Sequence, residues 1–207
     1  MALLGASHVT VVDASPANAS WGSRLAAAAG VAGRVGYVVG DVTELTKEQE
    51  EAAGAADLAV MELGVLHYFL DLNPLFALAF RLLRPSAGAT LVLREFHPIS
   101  TKLLQKPGAS KKWKLAGSYF DCDLATSAVA YSKHNSNEGA GASGNGSGDG
   151  GAAEGPAGTL LRRWTLGEVV TAAAAAGFVV VRLEEEPGVR LADAGIPKLF
   201  TLVARRP

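Results

Sequence analysis

The sequence predicts an open α/β fold: a mostly parallel sheet with helices on both faces and an antiparallel strand pair at its carboxyl end. Three observations carry this. Short β-branched runs alternate with helical segments from His8 to Glu95, the signature of parallel strands joined by crossover helices. The first three predicted strands each end at or just before an acid. The last two strands are joined by a segment rich in Gly and Pro with no room for another crossover helix, so they pair antiparallel.

His8–Asp13 reads as a short buried strand, β-branched and ending in an acid. Ser15 and Pro16 start a helix, which continues through the Ala-rich Trp21–Ala29 segment and closes at Gly30. Arg34–Val39 is the next strand, ended by Gly40-Asp41. Thr46 with Gln49 forms a capping-box pattern before the acidic turn Glu48–Ala53. Asp57–Glu62 is a third strand. Pro74–Leu83 places apolar residues on one helical face and stops at Arg84-Pro85, and Ala89–Glu95 is a fourth strand.

Residues 96–133 are less regular, with a basic cluster from Lys106 to Lys114 and aromatic residues Trp113, Tyr119, Phe120 and Tyr131. Residues 136–158 are low in complexity and Gly-rich, too poor in apolar surface to offset the entropy of ordering; they read as a flexible insertion within one domain spanning 1–207. Order returns at Leu160. Thr165 caps a helix through Ala176, ended by Gly177, and Phe178–Leu183 and Leu199–Ala204 are the closing strands.

The 207 residues suffice for one domain with a full core. With 49% apolar and 19% charged residues, net charge −1 and a pI near 6.4, the chain has no general attraction to nucleic acid or an anionic membrane. A single cysteine, Cys122, rules out an internal disulfide framework and a multi-cysteine zinc site. No stretch reaches the roughly 18 apolar residues of a membrane span, and the first residues lack a basic leader region. The expected location is cytoplasmic.

In open α/β sheets ligands bind beyond the carboxyl ends of the strands. Asp13, Asp41 and Glu62 stand at three such ends. A carboxylate there can accept from both hydroxyls of a ribose, and a second acid one strand over, with the Val42 N–H, can meet the amino group and a ring nitrogen of adenine. Taken singly, Asp13 also suits a helix cap and Asp41 a plain turn; a nicotinamide-dependent dehydrogenase would use an acid at Asp13 in the same way.

From Val9 to the end, apart from the Gly-rich insertion, the chain resembles the class I S-adenosylmethionine (SAM) dependent methyltransferases, a Rossmann-like family. VTVVDAS resembles the ribose-binding strand end, GDVTEL the adenine-binding turn, and DLAVMELGVLHYFLD the fourth strand with its catalytic-face loop. RLLRPSAGATLVLREFHP is similar to the family's helix, proline turn and fifth strand, and the segment from Arg162 to Pro207 to its last helix and closing hairpin. The resemblance implies SAM as cofactor, held by Asp13, Ala14, Asp41, Val42, Glu62, Leu63 and Gly64, and transfer of its methyl group to a small-molecule acceptor. It also implies a glycine-rich loop about 20 residues before the ribose acid. Counting back from Asp13 passes Met1, so that loop and the first strand are expected to be missing, the strand's place being between those ending at Asp13 and Glu62.

Methyl transfer needs chiefly proximity and alignment, with a base only where the acceptor must lose a proton. His67, three residues past Gly64, is the candidate base, and also suits a packing role; His97 is the second candidate, ahead of His8 and His134. The aromatic residues after the fifth strand of the family could wall an acceptor pocket or simply cover the sheet. Cys122 between Asp121 and Asp123 has poor metal-ligand spacing, so no metal is expected. An inactive or incomplete methyltransferase-like binding protein is the non-enzymatic alternative.

Overall fold

The computed structural model describes residues 1–86, 88–105, 113–127, 159–190 and 194–207. In chain order its elements are β1 (Val9–Asp13), α1 (Pro16–Ala28), β2 (Val35–Val39), α2 (Lys47–Ala53), β3 (Leu58–Glu62), α3 (Asn73–Leu82) and β4 (Thr90–Phe96). Four short strands follow: β5 (Leu104–Gln105), β6 (Lys114–Leu115), β7 (Leu124–Ser127) and β8 (Thr159–Arg162). The chain closes with α4 (Leu166–Ala175), β9 (Val179–Pro187) and β10 (Pro197–Arg205). The α/β class, the parallel pairs and the antiparallel closing strands agree with the sequence. The proposed Gly-rich insertion lies outside the described residues.

The helix boundaries follow local chemistry. Ser15 accepts the Asn18 N–H with Pro16 at the first helical position. Thr46 with Gln49 and Thr165 with Glu168 both form complete capping boxes, each satisfying two backbone N–H groups that the helix itself leaves unpaired. Gly22 lets α1 lie directly on β2: a Cβ there would fall 2.1 Å from the Tyr37 hydroxyl oxygen.

The parallel strands fall in two ladders rather than one. β1 pairs with β2, Asp13 opposite Val39; β3 pairs with β4, Glu62 opposite Arg94. The larger sheet has the order β3-β4-β10-β9, with β10 inserted antiparallel between β4 and β9. Among the described residues no ladder joins β1 to β3. The first strand, expected to be buried, is half-buried along its length, since it has a ladder partner on one side only.

The main core lies on one face of the larger sheet. Leu91 and Leu93 of β4 and Phe200, Leu202 and Ala204 of β10 meet Phe76, Ala79, Val169 and Ala173 of α3 and α4. Burying each large apolar side chain stabilises the fold by about 1.5–3 kcal/mol before entropy is counted. By the period-two alternation of strands, Val92 and Val203 point to the other face, where Val60 of β3 is 47% exposed. A second, smaller core of Ala2, Ala26 and Val31 joins α1 to β1 and β2 through Val9 and Val35.

β9 runs past the predicted end at Leu183, through Glu184, Glu185 and Glu186 to Pro187. Three consecutive acids are tolerated because Glu184 and Glu186 meet Arg182 and Arg94, while Glu185 reaches His97 on the opposite face.

Candidate functional site

The strand ends bring Asp13 and Asp41 side by side. The Gly40 N–H donates to the Asp13 carbonyl at 3.1 Å, tying the end of β2 to the end of β1. The half-buried Asp13 carboxylate accepts the Ser15 N–H at 2.7 Å and the Asn18 side-chain amide at 3.0 Å. It thus serves the start of α1. Ala14 beside it is exposed. Asp41, also exposed, accepts from the Thr43 hydroxyl at 2.7 Å and the Thr43 N–H at 2.8 Å, and these two bonds hold its carboxyl below the ordinary carboxylate range. Val42 turns inward and packs against the main core, which fixes the backbone of this turn.

Glu62, Leu63 and Gly64 follow β3. The Glu62 carboxylate is exposed, with an Arg94 guanidinium nitrogen 3.9 Å away. Leu63 has φ +44° and Gly64 φ +91°, two successive residues in left-handed territory. For Leu63 that conformation costs on the order of 1–2 kcal/mol, so the surroundings must impose it. The Leu63 N–H donates to the Arg94 carbonyl at 2.9 Å and the Gly64 N–H to Glu95 Oε1 at 2.6 Å. With both N–H groups directed inward, the turn offers a ligand carbonyl oxygens and the exposed Leu63 side chain.

His67 sits in the 3-10 turn Val65–Tyr68 that starts at Gly64. Its ring is parallel to that of Phe96, centroids 6.3 Å apart. Burial lowers its pKa below the ordinary 6.5; the nearby Glu95 carboxylate opposes that and the Arg163 cation adds to it. The neutral form is therefore favoured, as a base requires. His97, 2% exposed, is tied into the fold: Nδ1 accepts the Ile99 N–H, and Nε2 lies 2.7 Å from Glu185 Oε1, out of line for a hydrogen bond. Its ring meets Phe200 edge-on.

The remaining sequence candidates scatter. Tyr119 accepts the Leu166 N–H, Trp113 lies under the Lys198 ammonium, and Phe120 is 81% exposed. Tyr131 and His134 lie outside the described residues, as do Lys106, Lys111 and Lys112. His8 is exposed, Cys122 is exposed, and no metal-binding cluster occurs among the described residues. A cleft of about 520 Å³ opens beside Asp71, Arg162, Trp164 and Glu168, away from every predicted site residue. Its charged groups already have partners: Arg162 bonds Glu168 and the Leu70 carbonyl, and Asp71 bonds Asn73.

Sequence reasoning missed Glu95. The strand ending at Glu95 was legible; that its carboxylate is 2% exposed and grips the neighbouring turn was not. The alternation Leu91-x-Leu93-x-Glu95 was the available signal, since it places the acid on the core face.

Residues 1–91 match the family described as a methyltransferase domain. The fold is that of the class I SAM-dependent methyltransferases. A SAM-dependent methyltransferase from Mesorhizobium loti is similar over 98% of this chain and 82% of its own, with a TM-score of 0.62 and 21% identity. The glycopeptide N-methyltransferase MtfA, solved with S-adenosyl-L-homocysteine, is similar over 97% and 74%, with a TM-score of 0.55 and 18% identity. The [4+2]-cyclase SpnF is similar over 100% and 68%, at 0.58 and 14%. No curated protein matches the chain in sequence. In this methyltransferase fold Asp13, Asp41 and the Leu63–Gly64 turn all stand at carboxyl ends of parallel strands, where an α/β sheet binds ligands.

Proposed function

We propose that the chain binds SAM across the carboxyl ends of β1, β2 and β3 and transfers a methyl group to a small-molecule acceptor. The observation that carries this reading is the adjacency of Asp13 and Asp41 on two parallel strand ends, locked by the Gly40 N–H to Asp13 carbonyl bond. The residues suit an adenosine: Asp13 is acceptor-only for the ribose hydroxyls, Asp41 and Val42 offer an acceptor and a backbone N–H to adenine, and Ala14 leaves room for the ring. Glu62, Leu63 and Gly64 complete the crevice. SAM, when bound, supplies an electrophilic methyl group on a sulfonium.

His67, neutral and stacked on Phe96, takes the proton of an acceptor that must lose one. Phe96 and Leu63, both partly exposed, give the acceptor an apolar wall. The small net charge argues for a small-molecule acceptor over nucleic acid or an anionic membrane. No described helix is long and apolar enough to cross a membrane. A cytoplasmic setting, with one exposed free thiol, fits this reading.

The fold alone does not name the reaction, as the [4+2]-cyclase among the similar structures illustrates. Titration calorimetry of the chain with S-adenosylhomocysteine tests the reading directly. Binding that is lost in Asp13→Ala, with methyl transfer to a panel of small acceptors, supports it. Absence of binding by the folded wild type overturns it, and binding without transfer to any acceptor favours a non-catalytic binding protein.

A further inference from the structure

Gly64 begins the 3-10 turn that carries His67, yet a glycine has no side chain with which to cap it. The missing cap comes from another strand. Glu95 Oε1 accepts the Gly64 N–H at 2.6 Å and the Phe96 N–H at 2.7 Å, and Oε2 accepts the Leu66 N–H at 3.3 Å. One nearly inaccessible carboxylate thus satisfies three backbone donors, two of them in the first turn after β3. The Leu63 N–H is held as well, by the carbonyl of Arg94, the residue before Glu95. The N–H groups of both left-handed residues, Leu63 and Gly64, are thus held by residues 94 and 95. The same carboxylate is the negative charge nearest in effect to His67.

We infer that Glu95 is the positioning residue of the site: it fixes the Leu63–Gly64 turn in the shape that faces the ligand and aims His67 from behind. This rests on the methyl-transfer reading for the identity of the ligand, but not for the turn itself. Glu95 need touch no ligand. A glutamine there keeps the size but replaces one acceptor with a donor aimed at N–H groups.

The test compares wild type with Glu95→Gln by amide hydrogen exchange and by calorimetry with S-adenosylhomocysteine. In wild type the Gly64 and Leu66 amides are expected to be protected although the first turn of a 3-10 segment offers them no partner of its own. In the variant they should exchange at least tenfold faster while the Leu91 and Leu202 amides are unchanged, and the Kd should rise at least tenfold. Glu95→Asp should recover part of both effects, as a merely space-filling role would not. Unprotected Gly64 and Leu66 amides in wild type overturn the inference even if the variant fails to fold. A folded glutamine variant with unchanged exchange or unchanged affinity also overturns it. If wild type binds no S-adenosylhomocysteine, the methyl-transfer reading falls and the exchange data alone decide for or against Glu95.

Discussion

The Asn18 side-chain amide donates to the Asp13 carboxylate at 3.0 Å, so the acid that would hold a ribose is also an anchor for the first helix. A ligand hydroxyl must share that carboxylate with Asn18 and with the Ser15 N–H. Asp13→Ala should therefore have two separable effects. Calorimetry should show at least a tenfold loss of S-adenosylhomocysteine affinity, and urea unfolding a loss of about 1 kcal/mol from the vacated helix start. Asn18→Ala removes the competing donor and should leave affinity equal or higher; a marked fall would mean that Asn18 itself contacts the ligand.

Trp164 is 8% exposed, and its indole N–H donates to the Leu66 carbonyl at 3.0 Å. The Arg162 guanidinium lies 3.7 Å from its ring centroid. Trp164→Phe would remove one of the two donors to the Leu66 carbonyl, leaving the Phe69 N–H at 3.2 Å, and would weaken the stacking. A loss of about 2 kcal/mol in urea unfolding is expected, with the m-value unchanged.

The folded state holds His97 neutral more firmly than the unfolded chain does, because burial lowers its pKa below 6.5 against the pull of Glu185. The sign follows from proton binding: below 6.5 the unfolded chain takes up the proton first, so stability falls as pH falls through that value toward the lower folded pKa. His67 acts in the same direction. Thermal unfolding should show a declining Tm from pH 7 to pH 5, a window above the carboxylate titrations. His97→Asn should flatten part of that slope, and an identical slope would exclude His97 as its source.

Residues 136–158 fall between the paired strands β7 and β8. If that stretch contributes only chain length, cutting it to a few residues lowers the closure entropy of the hairpin and should raise stability by about 1 kcal/mol or less. Circular dichroism and the Tm of the shortened chain check this. A loss of several degrees would show that the segment makes contacts of its own.

Helix starts were the most legible part of the sequence, because Ser15-Pro16, Thr46 with Gln49 and Thr165 act through side chains within three residues. The strand cores were legible through β-branched runs. The pairs β5–β6 and β7–β8 were not, since strands of two to four residues show no period. The extension of β9 through three acids was invisible for a different reason: Glu184 has Arg182 close by, but the partners of Glu185 and Glu186, His97 and Arg94, are some ninety residues away in sequence. The candidate site was half legible as a place in the fold. Asp13 and Asp41 announce themselves at strand ends, while Glu95 acts on a turn 31 residues before it and shows only as an acid on the core side of an alternating strand.

The two parallel ladders have a mechanical consequence. Asp13 and Asp41 ride on one, and the Leu63–Gly64 turn on the other. No row of peptide hydrogen bonds stitches them together among the described residues; the joints that are visible are the Glu50–Arg81 ion pair between α2 and α3 and the seat of Val42 in the main core. Such side-chain joints are compliant. The spacing between Asp41 and the Leu63–Gly64 turn is thus set by side chains rather than by a peptide ladder, and a ligand gripping both halves would serve as a cross-brace.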